Sequence, residues 1–173
     1  MKKVYLDAGH RNNSLDCGAL FDDRKESKDA LSFALLLSSC LKKLEIDVKL
    51  SRNSENDIKS LTARTNEANK WGADLYLSIH RNASLTHKGE GAETLFYAPL
   101  ELAYKLQECM VNVCGFKCRG GKIRTDLHVL KASNMKAILL EIGFIDNVSD
   151  NEKFDKNKSK LAEEIAQIIK DNI

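Results

Sequence analysis

Two histidines and a glutamate stand where a sheet would deliver them to one crevice. In Ala73-Asp-Leu-Tyr-Leu-Ser-Ile-His80, Leu75, Leu77 and Ile79 alternate with Tyr76 and Ser78. That is the period of a β-strand, and it runs out into His80, Arg81 and Asn82. Val4-Tyr-Leu6 is a shorter strand that leads into Asp7-Ala-Gly-His10. Ala137–Ile145 is apolar except at Glu141 and Gly143, the mark of a buried central strand. A carboxylate there costs several kcal/mol unless a cation or donors compensate. Glu141 is therefore half of a buried ion pair with an arginine, or a carboxylate facing a metal site with a pKa raised toward acid–base work. Ligands of open α/β sheets bind outside the carboxyl ends of the strands, where both histidines fall. Two histidines and a carboxylate are also a common catalytic zinc set, with the fourth position left for water.

The third ligand has to come from elsewhere. Glu26, Asp16, Asp22 and Asp23 are all available, and residue type does not choose among them. His128, in Asp126-Leu-His-Val-Leu130, could reach the same crevice, whereas His87 beside Lys88 reads as a solvated loop residue. Arg119, Lys122 and Arg124 form a basic, Gly-containing stretch, either a solvated loop or one that meets an acidic substrate. The five cysteines are odd in number, which argues against a disulfide framework. Cys109, Cys114 and Cys118 cluster without a C-x-x-C pair, so buried free thiols are expected rather than a structural metal.

The elements that must position these groups follow from periodicity. A polar loop is expected over residues 11–26. A helix is expected from Ser27, as its cap, to about Leu44, on the spacing of Ala30, Leu31, Ala34, Leu37 and Leu41. A strand at Ile46–Leu50, a polar loop at Asn53–Lys59 and a helix at Leu61–Trp71 stopped by Gly72 come next. After the His80 strand come a loop at Ser84–Gly91, a strand at Ala92–Ala98 and a helix from Pro99 to Cys114. Lys117–Arg124 reads as a loop and Asp126–Lys131 as a short strand. Beyond the Glu141 strand, an amphipathic helix closes the chain over Asp155–Asn172. The alternation predicts an α/β fold, a single domain over residues 1–173, with a largely parallel, twisted central sheet and helices on both faces.

Composition excludes several function classes. The chain has 173 residues, 43% hydrophobic and 30% charged, with a formal net charge of only +2. No block of Lys or Arg points to nucleic acid. No apolar run approaches the roughly 18 residues of a membrane span. Met1-Lys-Lys-Val-Tyr-Leu-Asp turns polar too soon for a signal peptide, so synthesis in the cytosol is expected.

One ordered set of fragments covers nearly the whole chain: Asp7-Ala-Gly-His10, Gly18-Ala19, Glu26, Ser51-Arg52, Leu61-Thr-Ala-Arg64, Ala68-Asn69, Ala73–Ala83, Gly91-Ala-Glu93, Arg119-Gly120, Leu127-His-Val-Leu130 and Ala137–Ile145. This set resembles the zinc-dependent N-acetylmuramoyl-L-alanine amidases of bacterial autolysins and phage endolysins. The resemblance implies that His10, Glu26 and His80 hold one zinc ion per chain and that Glu141 is the catalytic carboxylate. It implies hydrolysis of the amide between N-acetylmuramic acid and L-alanine in peptidoglycan, with Asn82 and Arg119 as substrate contacts. Action on the cell wall after release, no nucleic-acid or membrane partner, and a monomer by default complete the expectation. Ala8 stands where the family often has proline, and Arg11-Asn12 where it often has a second glycine. A zinc carboxypeptidase-like peptidase and a non-catalytic wall-binding module are the alternatives.

Overall fold

Alternation decides what each strand shows to each side. In the computed structural model, which describes residues 1–11, 16–57 and 59–173, the chain forms β1 (Lys3–Ala8), a hairpin of β2 (Leu20–Phe21) and β3 (Arg24–Lys25), α1 (Glu26–Lys43) and β4 (Asp47–Leu50). It continues through α2 (Leu61–Trp71), β5 (Leu75–Asn82), β6 (Ala92–Phe96), α3 (Glu101–Cys114), β7 (Cys118–Ile123), α4 (His128–Lys131), β8 (Lys136–Phe144) and α5 (Val148–Asn172). Parts of the loops expected over residues 11–26 and 53–59, including Asn12, lie outside the described residues.

The sheet runs β4-β1-β5-β8-β6-β7. The first four strands are parallel; β6 pairs antiparallel with β8, and β7 follows β6 in parallel. The expected largely parallel sheet with helices on both faces is what forms. Val4, Leu6, Leu75, Leu77, Ile79, Ile138, Leu140 and Ile142 share one buried core with α1, α3 and α5. Tyr5, Tyr76, Leu95, Ala137 and Leu139, which alternate with them along the strands, pack on the other face with Ala68 of α2 and with Val129 and Leu130 of α4. The smaller face leaves the carboxyl ends of β5 and β8 open for a site.

Several boundaries differ from the sequence reading, each for a physical reason. The α1 helix starts at Glu26, after Lys25, with no side-chain cap. Its first N–H groups donate instead to carbonyls of the preceding loop, Glu26 N to Ala19 O and Ser27 N to Cys17 O. Ser27 is buried rather than a cap. Residues 117–124, expected as loop, include β7. Gly121 lets Phe96 and Tyr104 close over the strand; a Cβ there would meet their rings at 2.8 and 3.0 Å. Its exposed charges suit an unpaired edge. Residues 126–131, expected as strand, make the single turn of α4, because Leu127 O accepts from both Leu130 and Lys131. The α5 helix begins at Val148, a full turn and more before Asp155, because Asn147 caps it by accepting from Asp150 N. No apolar stripe announces that first turn, since Asp150 points inward to Gly91 N and Phe144 N.

The five cysteines are free. Cys109 and Cys114 are buried as expected, and burial pushes their thiols up to about 11 and about 12. Cys118 is exposed, because it lies on the edge strand β7.

Candidate metal centre

Three elements meet at the carboxyl end of the sheet. The turn after β1 carries His10, the first residue of α1 is Glu26, and β5 carries His80, continuing past it to Asn82 rather than ending there. Their ligand atoms lie within 4.8 Å of one another. Glu26 Oε1 is 2.9 Å from His80 Nδ1 and 3.1 Å from His10 Nε2, and it accepts from Arg81 N at 3.1 Å. Its Oε2 accepts from Ala19 N at 2.9 Å. Burial pushes the Glu26 carboxyl up, but its contacts with both histidines outweigh that and hold it well below the usual carboxylate range. Burial likewise lowers His80, and the Glu26 contact outweighs it, raising the imidazole to about 9.

Close backbone approach makes this convergence possible. A Cβ at Gly9 would lie 2.5 Å from His80 Cε1. One at Gly18, which is also at φ +71°, would lie 2.7 Å from both Glu26 Oε2 and His10 Cδ2. His10 itself sits at φ +62°, a left-handed conformation that costs a non-glycine residue about 1–2 kcal/mol. Two buried arginines hold it there. Arg64 donates to His10 O at 2.8 Å and to Asp7 at 3.1 Å. Arg52 donates to Ala8 O, Gly9 O and Ser27 O. A third, Arg81, fixes the end of β5 through Asp29, Asn151 and the carbonyls of Gly143 and Phe144.

The donor set fits a zinc-like divalent cation. It offers two imidazole nitrogens and one carboxylate oxygen, converging and partly open to a cleft of about 320 Å³. His10 Nδ1 meets Asp16 Oδ1 at 2.6 Å, the carboxylate–histidine pairing that orients a metal-binding imidazole.

The site extends as a row across three strands. His80 on β5 is in register with Glu141 on β8, which is in register with Glu93 on β6. Immediately after Glu141 the β5–β8 register slips, and Gly143 takes φ +73°, a bulge of the kind found beside active sites. Glu141 Oε2 is buried with no hydrogen-bond partner among the described residues. Burial pushes its carboxyl up to about 7, with Glu26 and Glu93 adding to the rise and His80 opposing it. Glu93 contrasts with it. Asn82, Arg119 and Lys122 all donate to its carboxylate, and the two cations outweigh burial to hold it below its ordinary pKa.

Comparison with known proteins shows the family of the chain. The profile of the N-acetylmuramoyl-L-alanine amidase family matches residues 4–171. The chain belongs to that family. It is 38% identical over 162 residues to the N-acetylmuramoyl-L-alanine amidase CwlM of Bacillus licheniformis, covering 88% of this chain and 60% of that protein. It therefore spans only part of the length of such curated relatives. Among solved structures it is similar to the catalytic domain of the amidase CwlV of Bacillus (Paenibacillus) polymyxa, at TM-score 0.89 and 28% identity over 99% of this chain and 97% of that one. It is similar also to an N-acetylmuramoyl-L-alanine amidase of Clostridium difficile 630, at TM-score 0.88 and 34% identity over 97% and 94%.

Within this amidase-family fold, His10, Glu26, His80 and Glu141 line one cleft together with Asn82. The other candidates for the third ligand part ways. Asp16 stands behind His10, and Asp22 and Asp23 form the turn of the β2–β3 hairpin. His128 does not join the cluster; its Nε2 is 3.3 Å from Thr65 Oγ1, which ties α4 to α2. His87 is exposed but contacts Asp146 at 3.0 Å, so it is less free than a solvated loop residue. Arg119 reaches Glu93 and lies over the Phe144 ring, 5.0 Å from its centroid. The sequence reading missed the supporting roles of Arg52, Arg64, Arg81 and Glu93. Arg52, Arg81 and Glu93 are charges at or in apolar strands and Arg64 is one on the α2 helix, positions that periodicity alone treats as surface.

Proposed function

We propose that this protein is a zinc-dependent N-acetylmuramoyl-L-alanine amidase that cuts the amide between N-acetylmuramic acid and L-alanine in peptidoglycan. The observation that carries the reading is the pairing of a convergent His10–Glu26–His80 set with an unpartnered Glu141 one strand away. In this reading His10, Glu26 and His80 hold one zinc ion per chain. When bound, zinc supplies polarisation of the amide carbonyl and acidification of water. Glu141 is the general base and then the general acid. It takes a proton from the attacking water and returns it to the amine of L-alanine as the C–N bond breaks. A carboxyl held near 7 by burial suits both halves of that cycle.

Asn82, which lines the cleft, and Arg119, which shares the Glu93 carboxylate with it from outside the cleft lining, are proposed as substrate contacts. The chain would act on the cell wall. Among its described residues no helix is long and apolar enough to cross a membrane. The test is to incubate the protein with purified peptidoglycan, with and without chelator, and to follow new N-terminal alanine. Alanine release that needs about one zinc per chain supports the reading. Release of shortened peptides without new N-terminal alanine would replace it with a peptidase, and wall binding without any cleavage would replace it with a binding module.

A further inference from the structure

We propose that Arg124 is the substrate-carboxylate anchor of the cleft, taking a free carboxylate on the peptide side of the amide that is cut. The proposal rests on the amidase reading above. Three basic side chains come from β7 and the residue that follows it, and the structure separates their roles. Arg119 and Lys122 both bind the Glu93 carboxylate, and neither lines the cleft. Arg124 does line it, with Glu141 and the three metal-binding candidates. Arg81 is also there, but its guanidinium is turned away to Asp29 and Asn151. Among the cleft's lining residues Arg124 is therefore the arginine whose guanidinium is not turned into the fold, and it is placed to meet a carboxylate on an entering peptide.

Its geometry is preset. Arg124 N donates to Phe96 O at 2.8 Å, which fixes the root of the side chain at the ends of β6 and β7. Nε and Nη2 donate to the two Asp126 oxygens at 2.8 and 2.7 Å, which orients the plane of the guanidinium. Nη1 has no acceptor among the described residues. Asp126 is 65% exposed, so water competes with the pair and it holds Arg124 only weakly. Substrate can therefore compete for the fork. Arginine suits the task because its planar fork matches a carboxylate in a way that lysine does not.

The test compares two matched muramyl peptides whose second stem residue carries either a free carboxylate or its primary amide. The readout is alanine release by the full chain with its metal. The wild-type protein should favour the acid. Arg124→Gln should raise KM for the acid about tenfold, leave kcat within about twofold and leave the amide substrate unchanged. Asp126→Asn should lower KM for the acid, by freeing the fork. Equal losses on both substrates, or no change on either in both variants, would overturn the proposal. Circular dichroism checks that each variant folds. A wild-type protein that releases alanine from neither peptide would overturn the amidase reading itself, an outcome distinct from loss of discrimination.

Discussion

The two faces of the central sheet are built from the same strands and do opposite work. On one, Val4, Leu6, Leu75, Leu77, Ile138 and Leu140 press into three long helices as one apolar core. On the other, a smaller core of Tyr5, Tyr76, Ala137 and Leu139 gives way along the strands to Asp7, Ser78, His80 and Glu141. Asp7 is fully satisfied there, by Arg64 at 3.1 Å and Ser78 at 3.0 Å. Glu141 is left with an orphan oxygen. One face is given over to the fold, while the other combines a smaller core with a buried carboxylate, Glu141, that costs stability. Alternation at period two lets both demands be met by one set of strands.

The sharpest way to break this contrast is to change one residue on each face. His80→Ala is expected to abolish both zinc binding and alanine release, because it removes one of the three proposed ligands; a variant that still holds one zinc per chain, by metal analysis, would show the ligand set to be wrong. Leu37→Ala, on the helix side, should cost about 2–5 kcal/mol in urea unfolding, with turnover per folded molecule unchanged. A large activity loss in that variant with no loss of stability would mean that the faces are not separate. Asp16→Asn should weaken zinc affinity about 10- to 100-fold in chelator competition, without removing a ligand.

The smallest effect concerns Glu141 in the metal-free protein. Its folded pKa is raised from 4.5 to about 7, so the stability its protonated form contributes is full below 4.5 and lost as pH rises through 7. Glu141→Gln should then raise Tm at pH 8 and leave it unchanged at pH 4. Equal Tm values for variant and wild type at both pH values would show that the carboxyl is not strained by its burial.

The apolar face was legible in the sequence because burial on one side writes itself as alternation, and β1, β5, β8, α1, α2 and α3 could be read from it. Glu141 was legible for the opposite reason, as the one charge in an apolar run. What periodicity could not give was anything set by distant partners. The basic, glycine-bearing β7 is a strand because β6 lies beside it, and two aromatic rings need the missing side chain of Gly121. The first turn of α5 carries no stripe because Asp150 reaches inward to Gly91 and Phe144. By residue type alone Glu26, Asp16, Asp22 and Asp23 were all open as the third ligand. The difference between Asp16 and Glu26, one behind His10 and the other between the two imidazoles, arises from the loop that carries one and the helix turn that carries the other. The fragment order resembling the amidases favoured Glu26, and the structure brings that residue, not Asp16, between the histidines.

The account turns on Glu141 as the base, so Glu141→Gln is the variant to make, with zinc content and N-terminal alanine release measured on the same sample. The account predicts about one zinc per chain and alanine release reduced by about 100-fold or more. Release near the wild-type rate with zinc in place would contradict it.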